Sequence, residues 1–221
     1  PVRYRYLMIE AKAMNKAYVP FTSDSTMKKV VRYYDKHGSD NERMLAHYLL
    51  GCVYRDLDSI PLALQCYEDA AEMADTTDED CDYATLSYIH GQRAELFSKE
   101  WIPQDLLKAS ELCYKYAMKA KDTLTALKTY ESRSEAFYLL NESDKEIKMN
   151  EKVAKLYTKY GYKNYAAVAL GSLILTYINQ KDFKNALRCM KRYEMGSGRF
   201  DNKNNINTGY EIYYYNKGMY F

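Results

Sequence analysis

The chain has 221 residues, of which 47% are hydrophobic and 28% charged. That hydrophobic fraction excludes wholesale disorder, and the length suits one long domain or two small ones. The 32 Lys and Arg stand against 30 Asp and Glu, a net charge of +2 that is too balanced to mark a nucleic-acid or anionic-membrane binder. Tyr is the outlier, with 25 residues against 6 Phe and 1 Trp.

Helix signals cover almost the whole chain, interrupted by only four Pro and nine Gly, and no segment alternates as a strand does. In chain order, residues 3–18 and 25–36 read as a helical pair. From Met44 a pattern sharpens: Leu50-Gly51, then Tyr54, then Ala63, Tyr67 and Ala70. The intervening turn holds Asp56, Asp58 and Ser59, with Pro61 in the first turn of the next helix, where its missing N–H is harmless. The following pair has Gly91 in its first helix and Ala109, Cys113 and Ala117 in its second, joined by an unusually long loop over 98–104 that contains Trp101 and Pro103. A weaker copy carries Tyr138, Ile147, Glu151 and Ala154, with Ser143 and Glu146 as a capping box. The uncharged run 164–180 reads as one buried helix, since a membrane span needs about 20 mostly apolar residues. Within it Leu173 and Tyr177 open another copy, continued by Ala186, Met190 and Tyr193, with Ile174 in place of the glycine and Asp182-Phe183 in the turn. At the end, Gly218 and Phe221 align with Gly51 and Tyr54.

The spacing L-G-x2-Y followed by A-x3-Y-x2-A resembles the tetratricopeptide repeat (TPR), lacking only its Trp, where His47 sits, and its terminal Pro. The resemblance implies an all-α protein, an α-solenoid built as a right-handed superhelix of TPR-like hairpins, with a period of about 40 residues instead of the standard 34 or so. It implies a single array over 1–221, with repeats at about 1–40, 41–80, 81–121, 122–161 and 162–200, and 205–221 as the first helix of a further repeat. The stretch Arg5-Tyr6-Leu7, Glu10-Ala11, Asn15-Lys16-Ala17-Tyr18 and Thr22-Ser23-Asp24-Ser25 also looks like the first repeats of bacterial membrane-anchored TPR regulators and lipoproteins, as does Val30-Val31-Arg32-Tyr33-Tyr34. That likeness implies an extracytoplasmic array coupled to a membrane helix and a signalling segment. No signal-peptide pattern follows Pro1, and both ends read as cut from a longer chain.

Stacked hairpins bury their faces against neighbours and leave the first helices lining a concave surface, whose usual occupant is a protein or peptide segment. The register places there Tyr48, Leu49, Cys52, Arg55 and Asp56, then Tyr88, Gln92 and Glu95. Farther along come Ser132, Arg133 and Leu139, then Ser172, Leu175 and Asn179, then Tyr215 and Met219. The candidate partner-binding set is Tyr48, Leu49, Arg55, Tyr88, Gln92, Glu95, Arg133, Ser172, Asn179 and Tyr215. Tyr suits such a surface because it is amphipathic and loses little rotamer entropy, although most Tyr in helical repeats pack between helices. Charge is uneven: 56–82 holds ten acidic residues and no basic one, and 145–163 holds six Lys against two Glu. Such patches orient a partner or a second copy of the chain, or are solvated helix faces.

The chemistry of an enzyme is not legible. The acidic run at Asp75, Asp78, Glu79, Asp80 and Asp82 lacks the Gly and Glu of a calcium loop, because counting from Asp78 those places hold Tyr83 and Ile89. The three His lie far apart at 37, 47 and 90, and neither a P-loop nor GxGxxG occurs. Gly196-Ser197-Gly198 reads as an inter-repeat loop. The five Cys (52, 66, 81, 113 and 189) include no CxxC pair and read as small core residues. Their unpaired number fits a cytoplasmic location as the alternative to an extracytoplasmic one. The expectation is a non-enzymatic scaffold without metal or cofactor. Two alternatives stand beside it: a carbohydrate-binding helical lipoprotein, suggested by the tyrosines, and a nucleic-acid-binding solenoid, which would need a continuous basic concave stripe where this one is mixed in sign.

Overall fold

The computed structural model describes residues 1–203 and 205–220. They fold into helices that fall into two compact units, Pro1–Thr129 and Tyr130–Phe221. Unit 1 contains α1 (Val2–Lys16), α2 (Ser25–His37), α3 (Asp40–Asp56), α4 (Ile60–Glu72), α5 (Tyr83–Lys99) and α6 (Pro103–Lys119). The boundary falls within α7 (Thr123–Leu139). Unit 2 contains α8 (Ser143–Lys159), α9 (Lys163–Gly171), α10 (Ile174–Asn179), α11 (Phe183–Gly196) and α12 (Ile212–Tyr220). Among the described residues β pairing is limited to one isolated antiparallel bridge, Phe200 with Ile206. Phe221, aligned above with Tyr54, lies outside the described residues.

One turn design joins the helices of each hairpin. A residue in the left-handed region follows the first helix: Tyr18, Asp58, Trp101, Asn141 and Lys181, with φ between 56° and 60°. Lys121 and Gly161 do the same between α6 and α7 and between α8 and α9. The next N–H then reaches back five residues, as Ser59 does to the Tyr54 carbonyl (2.8 Å), Ile102 to Phe97 (2.9 Å), Glu142 to Phe137 (2.9 Å) and Asp182 to Tyr177 (2.8 Å). This is the Schellman closure, which satisfies carbonyls that the helix end would otherwise leave bare. Counting back from it fixes the repeat register. The aromatics equivalent to Tyr54 and Tyr177 are Phe97 and Phe137, so the expected Tyr138 is one residue out, and it is exposed.

The same closure shortens the expected 98–104 loop. Helix α5 continues to Lys99 and α6 starts at Pro103, leaving three residues, because Trp101 takes the left-handed conformation without a glycine. Second helices bury the fourth, eighth and eleventh residues from their starts. These are Ala63, Tyr67 and Ala70 in α4, and Ala186, Met190 and Tyr193 in α11. In α6 they are Leu106, Ser110 and Cys113, one turn before the expected set. In α8 they are Glu146, Asn150 and Val153, one residue before the expected Ile147, Glu151 and Ala154. Two polar residues at core positions hid that register.

Glu146 therefore has no capping role. The N-cap of α8 is Glu142 without a side-chain cap bond, and Glu146 is buried, accepting a hydrogen bond from Thr176 at 2.8 Å. Burial raises its carboxyl above the usual range, against the opposing Thr176 bond. The capping box lies at Ser39 and Glu42 on α3, where each side chain accepts from the other's backbone N–H. The run 164–180 is two helices instead of one, broken at Ser172-Leu173 after Gly171. A Cβ on Gly171 would overlap the Tyr193 ring, so the close approach comes one turn before Ile174. Gly196 ends α11 and Ser197 caps it.

Helix α3 is the centre of unit 1. Every residue from 48 to 54 is buried, because α3 packs against α1, α2, α4 and α5. Gly51 lies under the fully buried Tyr67 ring, and the Tyr67 hydroxyl donates to Cys52 Sγ at 3.7 Å. Tyr54 is buried too and donates to Asp24 at 3.3 Å. In unit 2, Tyr213 of α12 stacks on Tyr193 (5.2 Å) and meets Phe200 edge-on (5.4 Å). Lys217 donates to Glu194 at 2.7 Å, tying α12 to α11.

Candidate functional site

Unit 1 gathers four of its sequence-predicted residues into one polar chain across α1, α3 and α5. Arg55 near the end of α3 donates to Asp56 (2.9 and 2.8 Å), to Asn15 of α1 (3.1 Å) and to Gln92 of α5. Asn15 also donates to the Tyr48 hydroxyl at 3.3 Å. Gln92 in turn donates to Glu95, one turn farther along α5, at 3.5 Å. Asp56 accepts from the Phe21 backbone N–H at 3.1 Å, so the segment joining α1 and α2 is fastened to the same group. The guanidinium has a planar fork of donors, which is what lets one side chain bridge three helices. Burial opposes its charge, and the hydrogen bonds and negative charge of the neighbouring Asp56 more than offset this, holding Arg55 above its usual value.

Not all of the set reaches solvent. Leu49 is fully buried and belongs to the core, as does Cys52, because α3 has a helix on every side. Tyr48 buries its ring against Tyr67 at 6.0 Å and offers only its hydroxyl to the network. These three positions are corrections to the surface expected of them. Tyr88 and Glu95 of α5 are exposed, and Gln92 and Arg55 are partly so. The accessible part is thus an α5 strip of Tyr88, Gln92 and Glu95, backed by Arg55. Sequence reasoning did not single out Asn15 for this role. Its signal was a polar residue in the last turn of α1, which is uninformative until α3 lies alongside.

In unit 2 the predicted residues do not converge among the described contacts. Arg133 stands over the Tyr130 ring at 5.3 Å, and burial pulls its guanidinium below the usual value. Ser172 is exposed at the α9–α10 break, with its hydroxyl directed at the Val168 carbonyl (3.4 Å). Asn179 is exposed at the end of α10, and Tyr215 is exposed on α12.

The buried thiols and the buried His90 are held in their neutral forms. All five Cys are free and buried, and burial pushes the Cys66 and Cys113 thiols up to about 11. A thiol at that value is protonated at neutral pH and is no nucleophile. Burial, with Arg93 nearby, pushes His90 down to about 4, and its ring stacks on Tyr116 at 5.5 Å. The acidic loop satisfies itself: Asp75 accepts from the Thr77 N–H and Asp78 from the Asp80 N–H, both at 2.9 Å. Among the described residues no group of three or more His, Cys, Asp or Glu is placed to hold a metal ion. Among them, too, no helix is long and apolar enough to cross a membrane.

No protein-family model matches the chain, and no curated protein does. Among solved structures it is similar to a Podosopora anserina protein described as a kinesin light chain with nearly identical TPR-like repeats. Identity is 12% and the TM-score 0.68, over 87% of this chain and 94% of that one. A single-substitution variant of that protein matches with the same identity and TM-score, over 87% and 93%. At that identity the likeness shows the fold: the hairpins form a TPR-like helical-repeat solenoid.

Proposed function

We propose that the chain is a non-enzymatic scaffold that holds a peptide or helical segment of a partner protein on the α1–α3–α5 face of unit 1. The observation that carries this reading is the hydrogen-bonded chain through Asn15, Tyr48, Arg55, Gln92 and Glu95. It fixes polar groups of three successive first helices before any partner arrives. Fixed groups bind without losing rotamer entropy, and exposed Tyr88 adds a rigid apolar contact beside them. Buried protonated thiols and a buried neutral His support a role without catalysis. The sequence resemblance to bacterial TPR regulators supports a finer version, in which the chain is the sensing part of a larger signalling protein.

The test is affinity capture from the native cell with the chain and with a Tyr88→Ala/Glu95→Arg variant, whose changes lie at exposed positions of α5. A protein held by the chain and lost by the variant, with equal helical melting of both, is the expected result. Equal capture by both, or capture by neither, overturns the assignment to this face.

A further inference from the structure

Unit 2 carries an open groove between α8 and α11, floored by α9, with a volume of about 680 Å³. Its floor is apolar and low: Ala154 of α8, with Ala166, Ala167 and Leu170 of α9. Met195 stands at the edge with 82% of its surface exposed. The rim is cationic. Lys155 of α8, Lys163 of α9 and Arg192 of α11 are exposed, and none has a carboxylate partner among the described residues. A fourth cation, Arg188, meets Glu151 at 3.4 Å, an exposed pair worth little.

Two features make this more than a solvated helix face. Unit 2 as a whole has 15 Lys and Arg against 10 Asp and Glu, and the groove lining sets four cations, Lys155, Lys163, Arg188 and Arg192, against the single carboxylate Glu151. Lys163 is also the first residue of α9, where the helix dipole disfavours a cation. That placement costs stability in the free protein and is relieved by an incoming carboxylate. A polyphosphate ligand matches the rim but not the floor. Single-stranded nucleic acid gains affinity by stacking on aromatics, and no aromatic side chain lines this groove. An amphipathic helix matches both, since its apolar face covers the alanines, whose small side chains permit close approach.

We propose that this groove docks an acidic amphipathic helix of a partner protein, with its apolar side on α9 and its carboxylates against Lys155, Lys163 and Arg192. The surface is separate from the α1–α3–α5 face and its reading does not depend on that one. The probe is a fluorescein-labelled peptide of about 18 residues, with Leu at i, i+3, i+4 and i+7 and Glu on the opposite face. The comparison ligands are the same peptide with Lys for Glu and a labelled oligouridylate of similar length. Fluorescence anisotropy is expected to show binding of the Glu peptide alone. Three rim pairs lost and turned repulsive are expected to weaken it about tenfold or more in Lys155→Glu/Lys163→Glu/Arg192→Glu. Met195→Asp, which puts a carboxylate at the apolar edge, is expected to weaken it several-fold. All substituted side chains are exposed, so circular dichroism melts should show no loss of stability, and Lys163→Glu should raise the melt slightly by matching the α9 dipole. No binding of the Glu peptide, indifference of its affinity to both variants, or tighter binding of the oligouridylate overturns the proposal.

Discussion

Replacing Gly51 by Ala sets two effects against each other, and the structure decides the sign. Alanine is better than glycine in a helix interior by about 1 kcal/mol. Against this, the new Cβ would lie 2.5 and 2.6 Å from two ring carbons of Tyr67. Carbon atoms prefer separations of about 3.5–4.0 Å, so the overlap is roughly 1 Å. The ring cannot swing away, because Tyr67 is fully buried between α3 and α4. Overpacking of this kind costs about 1–3 kcal/mol, occasionally more. An overlap of that size places the cost at the upper end of this range, so Gly51→Ala should be about 2 kcal/mol less stable than the parent, read as a lower urea midpoint at unchanged slope. Gly91 is the internal control, since a Cβ there meets only Cys113 Sγ at 3.5 Å, an ordinary contact. Gly91→Ala should gain about 0.5–1 kcal/mol from propensity alone. In a Tyr67→Ala background the obstructing ring is gone and Gly51→Ala should turn stabilising. Gly51→Ala as stable as the parent, or as harmful with Tyr67 removed as with it present, would refute the packing argument.

Three further outcomes are expected. Lys121→Gly and Lys181→Gly should each stabilise by about 1 kcal/mol, because φ values of 60° and 59° strain a side chain, and Gly161→Ala should cost a similar amount in chemical denaturation. His90 titrates lower when folded, so the unfolded chain binds more protons below its own value of about 6.5 and stability falls as the pH drops toward 4. Unfolding free energies from urea titrations at pH 7.5 and 5.0 should differ by on the order of 2 kcal/mol more in the parent than in His90→Phe, and equal differences would remove His90 from the linkage. Thr176→Val leaves the buried Glu146 carboxyl without its hydroxyl donor and should cost about 1–3 kcal/mol, measured the same way.

Much of the hairpin pattern was legible because it is written in apolar periodicity and in the recurring Tyr54 and Tyr177 positions. The misplacements have physical causes. Trp101 and Lys181 adopt a left-handed turn that favours glycine, so the turns carry no glycine signal, and the α5–α6 loop looked longer than it is. Glu146 and Asn150 occupy core positions of α8, and both side-chain amide atoms of Asn150 find no partner among the described residues. A polar pair at those positions shifts any hydrophobic reading by one residue. Of the candidate site, Arg55, Gln92 and Glu95 could be placed on neighbouring first helices from the repeat spacing. The fate of Leu49 and Tyr48 could not, because spacing shows which side of α3 they occupy but not that four other helices surround it. Asn15 entered the network only through the packing of α1 on α3.

The scaffold reading stands or falls on whether a partner touches the α5 surface. The most direct measurement places a benzophenone photo-crosslinking amino acid at Tyr88 and, separately, at Trp101, an exposed aromatic in the turn after the same helix. Each protein is then irradiated in native extract. The expected result is a protein adduct from position 88 that is absent from position 101 and lost when Gln92→Arg and Glu95→Arg are added. The same adducts from both positions, or none from position 88, would contradict the account.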